Sequence, residues 1–319
     1  MKKVILDLDT GIDDAMALAY ILGSPEVQLA GVTGTYGNVS LRQGLRNSLA
    51  LLDLLGHPEV PVFAGQPHAL LACEDYETSG VSAFIHGPNG IGGVELPDSP
   101  RSPKAEPAVD FLIRMANECG PDLIYVPTGP LTNLACALRR DPDACHKIGR
   151  VVLMGGALTV CGNVTPAAEA NISKDPEAAD QVFRSGLATT MVGLDVTLQT
   201  LLTPGDVDEW HHLGTGAATA YASIVDYYIW AYAQRQPYLG GCGLHDPLAA
   251  AVALDPSLVT TVGINLQVDL EGELRGRTIG DLARLNDPRK STQVALGVDI
   301  PRFMQNLMSR VGRALGGGR

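Results

Sequence analysis

The chain has 319 residues, 45% of them hydrophobic and 18% charged, with a formal net charge of −12. An apolar share of this size supports one large core, and a compact unit needs fewer charged residues to cover its surface. No basic face of the kind that grips phosphates is visible in this acidic chain, so nucleic acid is a poor partner and a small neutral or cationic ligand is easier to place.

The predicted elements alternate. Residues 4–8 read as a buried strand, 12–22 as a helix apolar nearly all round, 27–35 as a strand, 41–55 as a helix ended by Gly56, and 60–64 as a strand. Residues 66–103 are rich in Gly, Pro and Ser and read as a long loop, a length that compact domains keep for function or leave disordered. Helix 107–119, strand 123–126 and helix 130–139, with Pro at its first turn, come next. Strand 151–154 and a loop over 155–174 precede helix 176–185 and strand 189–192. A helical region over 204–235 breaks near Gly214–Gly216, and helix 246–254, strand 259–268, strand 291–298 and helix 301–315 complete the series. This alternation predicts an α/β fold, doubly wound around a mostly parallel central sheet with helices on both faces. A single domain over 1–315 is expected, with a flexible tail at 316–319.

The six cysteines, Cys73, Cys119, Cys136, Cys145, Cys161 and Cys242, are scattered without a Cys-x-x-Cys pair. That argues against zinc and against a disulfide framework, and suits a reducing cytosol. Cys161 reads as a small buried apolar residue. The apolar run before Asp7 is short against the roughly 7–15 residues of a secretory leader, and no stretch is long enough to span a membrane. A cytoplasmic protein with no membrane partner is the expectation.

Chemistry concentrates in Asp7-Leu8-Asp9-Thr10-Gly11-Ile12-Asp13-Asp14, where the first strand runs into the first helix. One Asp there is enough for a helix cap, because the N-terminal dipole favours an anion. Four close together repel each other, and either a cation or raised pKa values must compensate. Oxygen ligands without nearby His or Cys favour calcium or magnesium over zinc. Further oxygens are available at Asp246, in His245-Asp246-Pro247, and at the constrained backbone of Pro127-Thr128-Gly129-Pro130.

The Asp7-x-Asp9-x-Gly11-x-Asp13-Asp14 turn resembles that of the inosine–uridine-preferring nucleoside hydrolases. So do Thr35-Tyr36-Gly37-Asn38, His86-Gly87-x-x-Gly90-Ile91-Gly92-Gly93 and Pro127-Thr128-Gly129-Pro130-Leu131-Thr132-Asn133-Leu134. Met154-Gly155-Gly156-Ala157, Gly162-Asn163-Val164-Thr165-Pro166-x-x-Glu169-x-Asn171 and His245-Asp246-Pro247-Leu248-Ala249 extend the match in family order. One departure is Thr10, where the family has Pro.

The resemblance implies calcium held by Asp9, Asp14, Asp246 and the Thr128 carbonyl. It implies ribose bound by Asp13, Asn38, Asn163, Glu169 and Asn171, with Asp9 also the base that activates a metal-bound water and Asp7 in support. His245 would assist the leaving base, which points to the nonspecific or pyrimidine-preferring branch, with uridine, cytidine and inosine as substrates. His86 would shape the pocket, with Tyr228 and Tyr232 as base contacts and Arg235 and Gln236 as weaker candidates. Trp210 and Trp230 read as packing residues. Relatives are homodimers or homotetramers engaged in nucleoside salvage or catabolism. These roles agree with what an oxocarbenium-like transition state needs: an activated water, a gripped sugar and a stabilised leaving group.

Two other readings stay open. Ile5-Leu6-Asp7-Leu8-Asp9-Thr10 also looks like the haloacid-dehalogenase phosphatase turn, in which the first Asp is the nucleophile and magnesium the metal. A nucleoside-binding protein without turnover would keep the same pocket.

Overall fold

A strand that is apolar on both faces is stable only where helices cover the sheet on both sides. Residues 4–8 meet that condition within β1 (Lys2–Leu8), the third strand of an eight-stranded sheet in the computed structural model, which describes residues 1–316. Successive side chains diverge: Val4, Leu6 and Leu8 enter one core and Ile5 the other.

The first half of the chain is α1 (Ile12–Leu22), β2 (Val27–Gly34), α2 (Leu41–Leu54), β3 (Val62–Ala64), α3 (Gly80–His86), α4 (Ala108–Cys119), β4 (Leu123–Pro127), α5 (Thr132–Arg140), α6 (Pro142–Cys145) and β5 (Arg150–Met154). Then come α7 (Ala170–Lys174), α8 (Pro176–Arg184), β6 (Thr189–Val192), α9 (Leu194–Thr197), β7 (Leu201–Leu202), α10 (Pro204–His211) and α11 (Gly216–Arg235). The last part holds β8 (Cys242–Gly243), α12 (His245–Leu254), β9 (Val259–Ile264), β10 (Leu266–Val268), β11 (Thr278–Gly280), β12 (Thr292–Val298) and α13 (Ile300–Leu315).

Strand order is β3-β2-β1-β4-β5-β6-β12-β9, parallel throughout except for the β12–β9 pair. From β1 the chain winds outward to β2 and β3, then returns to β4 on the other side. The crevice between β1 and β4 is therefore the switch point, where doubly wound sheets open a ligand site at their carboxyl ends. β1 delivers Asp9 there and β4 delivers Thr128. α1 is buried along almost its whole length because it packs on both α12 and α13, which explains its nearly uniform apolar sequence.

The fold class and single domain match the expectation, and several local details differ, among them α7 inside the expected 155–174 loop. The 66–103 segment contains α3, capped at its start by Ser79. α5 starts at Thr132, leaving Pro130 in the preceding turn. The predicted strand 259–268 is two strands divided at Asn265. That side chain donates to Arg284 O and Arg289 O at 3.1 Å each and accepts from Ser291 N at 3.0 Å, so it leaves the ladder. β10 then pairs antiparallel with β11 as a hairpin outside the main sheet. The helical region 204–235 divides at Gly214, whose φ of +72° suits glycine, into α10 and α11 as expected. Of the expected tail, Gly316 caps α13 and 317–319 lie outside the described residues. No helix among the described residues is long and apolar enough to cross a membrane.

Candidate active site

Only three residues separate β1 from α1, so the acids of the turn are held by a strand end and a helix start. All four are buried. Asp7 is fully partnered: its Oδ1 accepts from Thr33 Oγ1 at 2.6 Å and Asn133 Nδ2 at 2.8 Å, and its Oδ2 from Tyr125 OH at 2.7 Å. Burial nonetheless pushes its pKa up to about 6. Asp9 accepts from Asn38 N at 2.8 Å and Asn38 Nδ2 at 3.0 Å, and Lys174 Nζ lies 3.8 Å from its Oδ2. Burial and then the neighbouring Asp14 raise its pKa well above the carboxylate range, against the pull of Lys174. Residue 37 must be glycine for this approach, because a Cβ there would collide with the Asp9 carboxylate.

Asp14 accepts from Gly11 N at 2.8 Å and from Thr128 Oγ1 at 2.8 Å. Asp13 has a long contact from Tyr228 OH at 3.4 Å to Oδ2, and its Oδ1 has no hydrogen-bond partner. Burial and the charge of Asp14 push it up to about 7. Asp246, in the first turn of α12, is 1% exposed, and neither of its oxygens has a partner. Burial raises its pKa well above normal, and Asp13, Asp14, Asp9 and Glu169 add to the effect.

One oxygen each from Asp13, Asp14 and Asp246 lies within 4.8 Å of the others. Buried like charges with orphaned oxygens are costly unless a cation or protons compensate. An all-oxygen donor set of this kind suits a hard cation such as calcium. The cluster differs from the implied set of Asp9, Asp14, Asp246 and Thr128 in bringing in Asp13. Asp13 and Asp14 are adjacent on the first turn of α1, which packs on α12, whereas both Asp9 oxygens are engaged by Asn38. The Thr128 carbonyl accepts from Asn171 Nδ2 at 2.7 Å, so the Asn171 side chain reaches the carbonyl beside the cluster.

Glu169 caps α7, with Oε1 accepting from Asn171 N at 2.9 Å and Oε2 from Gly156 N at 2.9 Å. It thereby ties the end of the 155–169 loop to its beginning. Burial raises its pKa. Asn163 stands apart from the cluster: it is exposed, and its Oδ1 accepts from Ala170 N at 3.0 Å.

On the opposite side, α11 and α12 bring aromatic residues together. His245 Nε2 is 2.7 Å from Tyr232 OH, and its Nδ1 is 2.8 Å from Thr197 Oγ1. Tyr228 packs edge-on against Tyr232 at 4.9 Å and lies 5.4 Å from His86. His86 Nδ1 accepts from Ile12 N at 3.2 Å, tying α3 to the start of α1. A Cβ on Gly11 would come within 2.6 Å of that nitrogen. Burial lowers the pKa of His86 to about 3, helped by Lys174 and His245, and that of His245 to about 4. Both rings are therefore neutral at neutral pH, which lets His86 accept from a backbone amide.

Tyr228 thus lies beside the acid cluster at Asp13, and Tyr232 beside His245. Trp210 is buried core, and Trp230 is half-exposed against Phe84 and Tyr227. Arg235 ends α11 in an exposed position, and Gln236 caps it. Cys161 is exposed, correcting the expectation of a buried residue, because its loop runs over the surface. Sequence reasoning missed Thr197 and Lys174. Thr197 follows shortly after the end of β6, a strand-end position that could have marked it. No local signal marks Lys174, whose side chain turns inward at the end of a five-residue helix.

The family model described as inosine-uridine preferring nucleoside hydrolase matches residues 4–305. A probable uridine nucleosidase 2 of Arabidopsis thaliana is 37% identical over 317 residues, covering 97% of each chain. The pyrimidine-specific ribonucleoside hydrolase RihA of Klebsiella pneumoniae is 35% identical over 309 residues, with 97% of each chain covered. Among solved structures, a purine-preferring ribonucleoside hydrolase from Gardnerella vaginalis superposes with a TM-score of 0.97 at 59% identity, covering 99% of each chain. With residues 4–305 matched and relatives aligned along nearly its full length, the chain belongs to the inosine-uridine preferring nucleoside hydrolase family, enzymes that hydrolyse N-glycosidic bonds.

Proposed function

We propose that this nucleoside hydrolase depends on calcium and cleaves uridine, cytidine and inosine to ribose and free base. The observation that carries the metal reading is Asp246, a buried carboxylate with two unpartnered oxygens facing Asp13 and Asp14. Asp14, Asp246 and the Thr128 carbonyl would hold the ion, with Asp9 adding an oxygen. Calcium bound there would offset the gathered negative charge and make a nearby water more acidic.

The protein's own groups divide the remaining work. Asp9, oriented by both nitrogens of Asn38, takes the proton from the attacking water. The water oxygen bonds to the anomeric carbon as the C–N bond breaks, and the bonding pair leaves with the base. Asp13, Asn38, Glu169 and Asn171 grip the sugar hydroxyls, and Asn163 closes over them from the exposed loop. The His245–Tyr232 pair, with Tyr228 and His86 beside it, faces the leaving base and assists its departure.

A nonspecific substrate range is consistent with His245 and with the names of the relatives, which include a uridine nucleosidase and a purine-preferring hydrolase. Assembly as a homodimer or homotetramer, a cytoplasmic location and a role in nucleoside catabolism or salvage belong to the same proposal. The phosphatase alternative gains no support, because the Asp7 carboxylate that would be its nucleophile is buried with both oxygens bonded.

The test is ribose release from uridine, cytidine, inosine and adenosine, with chelator and after calcium is restored. Release that chelation stops and calcium recovers is expected. No ribose from any nucleoside at millimolar concentration would sink the hydrolase reading and leave a binding protein. Release indifferent to chelator would sink the metal reading alone.

A further inference from the structure

The short motifs quoted from the sequence end at Ala249, yet the β10–β11 hairpin beyond them reaches back to the sugar side of the site. Three consecutive residues make the connection. Gly276 packs so closely on the far end of the loop that an added Cβ would meet Ala168 Cβ at 2.9 Å, and its φ of +86° independently suits glycine. Arg277 donates from Nη2 to Leu158 O at 2.9 Å and from Nη1 to Val160 O at 2.8 Å and Ala167 O at 3.3 Å. Thr278 Oγ1 lies 2.9 Å from both Ala157 N and Ala157 O.

Arg277 is half-buried, and among the described residues no carboxylate lies within ion-pair distance of it. Its guanidinium is devoted to three carbonyls on the two arms of one loop. A planar fork of donors can bridge such arms, and a lysine ammonium lacks that fixed geometry. From the other side, the Asp195 carboxylate accepts from Leu158 N at 2.9 Å and Thr159 N at 2.7 Å. Between the two clamps lies the tip, residues 161–166, which carries Asn163 and is braced only within itself and onto the loop's own second arm. Gly162 N donates to Pro166 O at 3.2 Å, Val164 N to Ala168 O at 3.3 Å and Ala170 N to Asn163 Oδ1 at 3.0 Å. The arm that Arg277 holds through Ala167 runs directly into Glu169.

We infer that Arg277 is a positioning residue for sugar binding: it fixes the arms of the 157–168 loop so that Asn163 and Glu169 meet the substrate together. The inference rests on the ribose-binding role proposed above for those two side chains. Arg277 touches neither the acid cluster nor the His245–Tyr232 pair, so it acts on sugar grip and not on water activation or base departure. Interactions made equally in the ground and transition states appear mainly in KM.

The experiment compares the full-length wild type with Arg277→Ala and Arg277→Lys. Amide hydrogen exchange is read first, without substrate. Arg277→Ala is expected to speed exchange of amides in 157–168 by about tenfold or more while β1, α1 and α12 stay protected. With inosine and uridine, KM should rise by roughly tenfold and kcat should fall less. Arg277→Lys should recover part of both effects, and low-millimolar guanidinium added to Arg277→Ala should lower its KM. Unchanged loop exchange, or a loss confined to kcat, overturns the inference. Should Arg277→Ala not fold, Arg277→Lys decides, because it must still loosen the loop selectively. A wild type that releases no ribose would count against the proposed function, while the exchange result would still judge the clamp.

Discussion

Asp7 and Asp246 are both fully buried carboxylates beside the same crevice, and they are treated in opposite ways. Three side-chain donors saturate Asp7, from Thr33, Tyr125 and Asn133. Asp246 receives none and faces two more acids. A buried polar group costs stability unless it is hydrogen-bonded, so the first arrangement is a finished structural element. The second is completed only by protons or a cation. The contrast separates the aspartates that shape the site from those that work in it, although all of these aspartates but Asp246 come from a single eight-residue turn.

The comparison can be broken first at Asp9, which shares the turn but lies on the working side. Asp9→Asn should lower kcat by about a thousandfold, the usual scale for losing a general base, while thermal unfolding stays close to wild type. A loss below about tenfold would remove Asp9 from the mechanism. Asp246→Asn should weaken calcium binding, followed by calorimetry, by about a hundredfold without destabilising the metal-free protein, since it removes an uncompensated buried acid. If the metal-free variant melts well below wild type, Asp246 is structural after all.

Asp7→Asn should do the reverse. Its amide would face donors that need acceptors, costing about 1–3 kcal/mol in denaturant unfolding while calcium affinity stays within a few-fold of wild type. Loss of calcium binding with stability intact would invert the comparison.

The smallest effect is a pH dependence. Burial raises Asp7 to about 6 and Asp13 to about 7 from the usual 3.8, so the folded metal-free protein holds protons more tightly than the unfolded chain. The stability from these groups is fully present below about pH 4 and is lost as pH rises through 6 to 7. Chelated protein should therefore melt about 5 °C or more lower at pH 8 than at pH 5, and excess calcium should shrink the difference. Greater stability at pH 8 in chelator would contradict the assigned directions.

The doubly wound class, the single domain, the acid turn and the late His245-Asp246 pair were legible in the linear sequence. Each depends on local pattern: apolar runs of strand length, helical periodicity, and polar residues just after strand ends. The Asn265 break was not legible, because an asparagine leaves a ladder only when partners such as Arg284 and Ser291 are within reach. Tyr228 and Tyr232 stood as base contacts only through the resemblance, and the docking of α11 beside α12 shows what they touch.

The sequence by itself determined which groups are available: four acids where β1 meets α1, a fifth at the start of α12, and the amides and imidazoles that accompany them. Only the tertiary structure decided how those groups differ. Asp7 is quenched by Tyr125 and Asn133, 118 and 126 residues away, and Asp13 joins Asp246 because α1 packs on α12. Lys174 approaches Asp9, and Arg277 clamps a loop more than a hundred residues earlier in the chain. A carboxylate's character in a protein interior is set by the donors and charges around it, and those arrive from elements that no local pattern brings together.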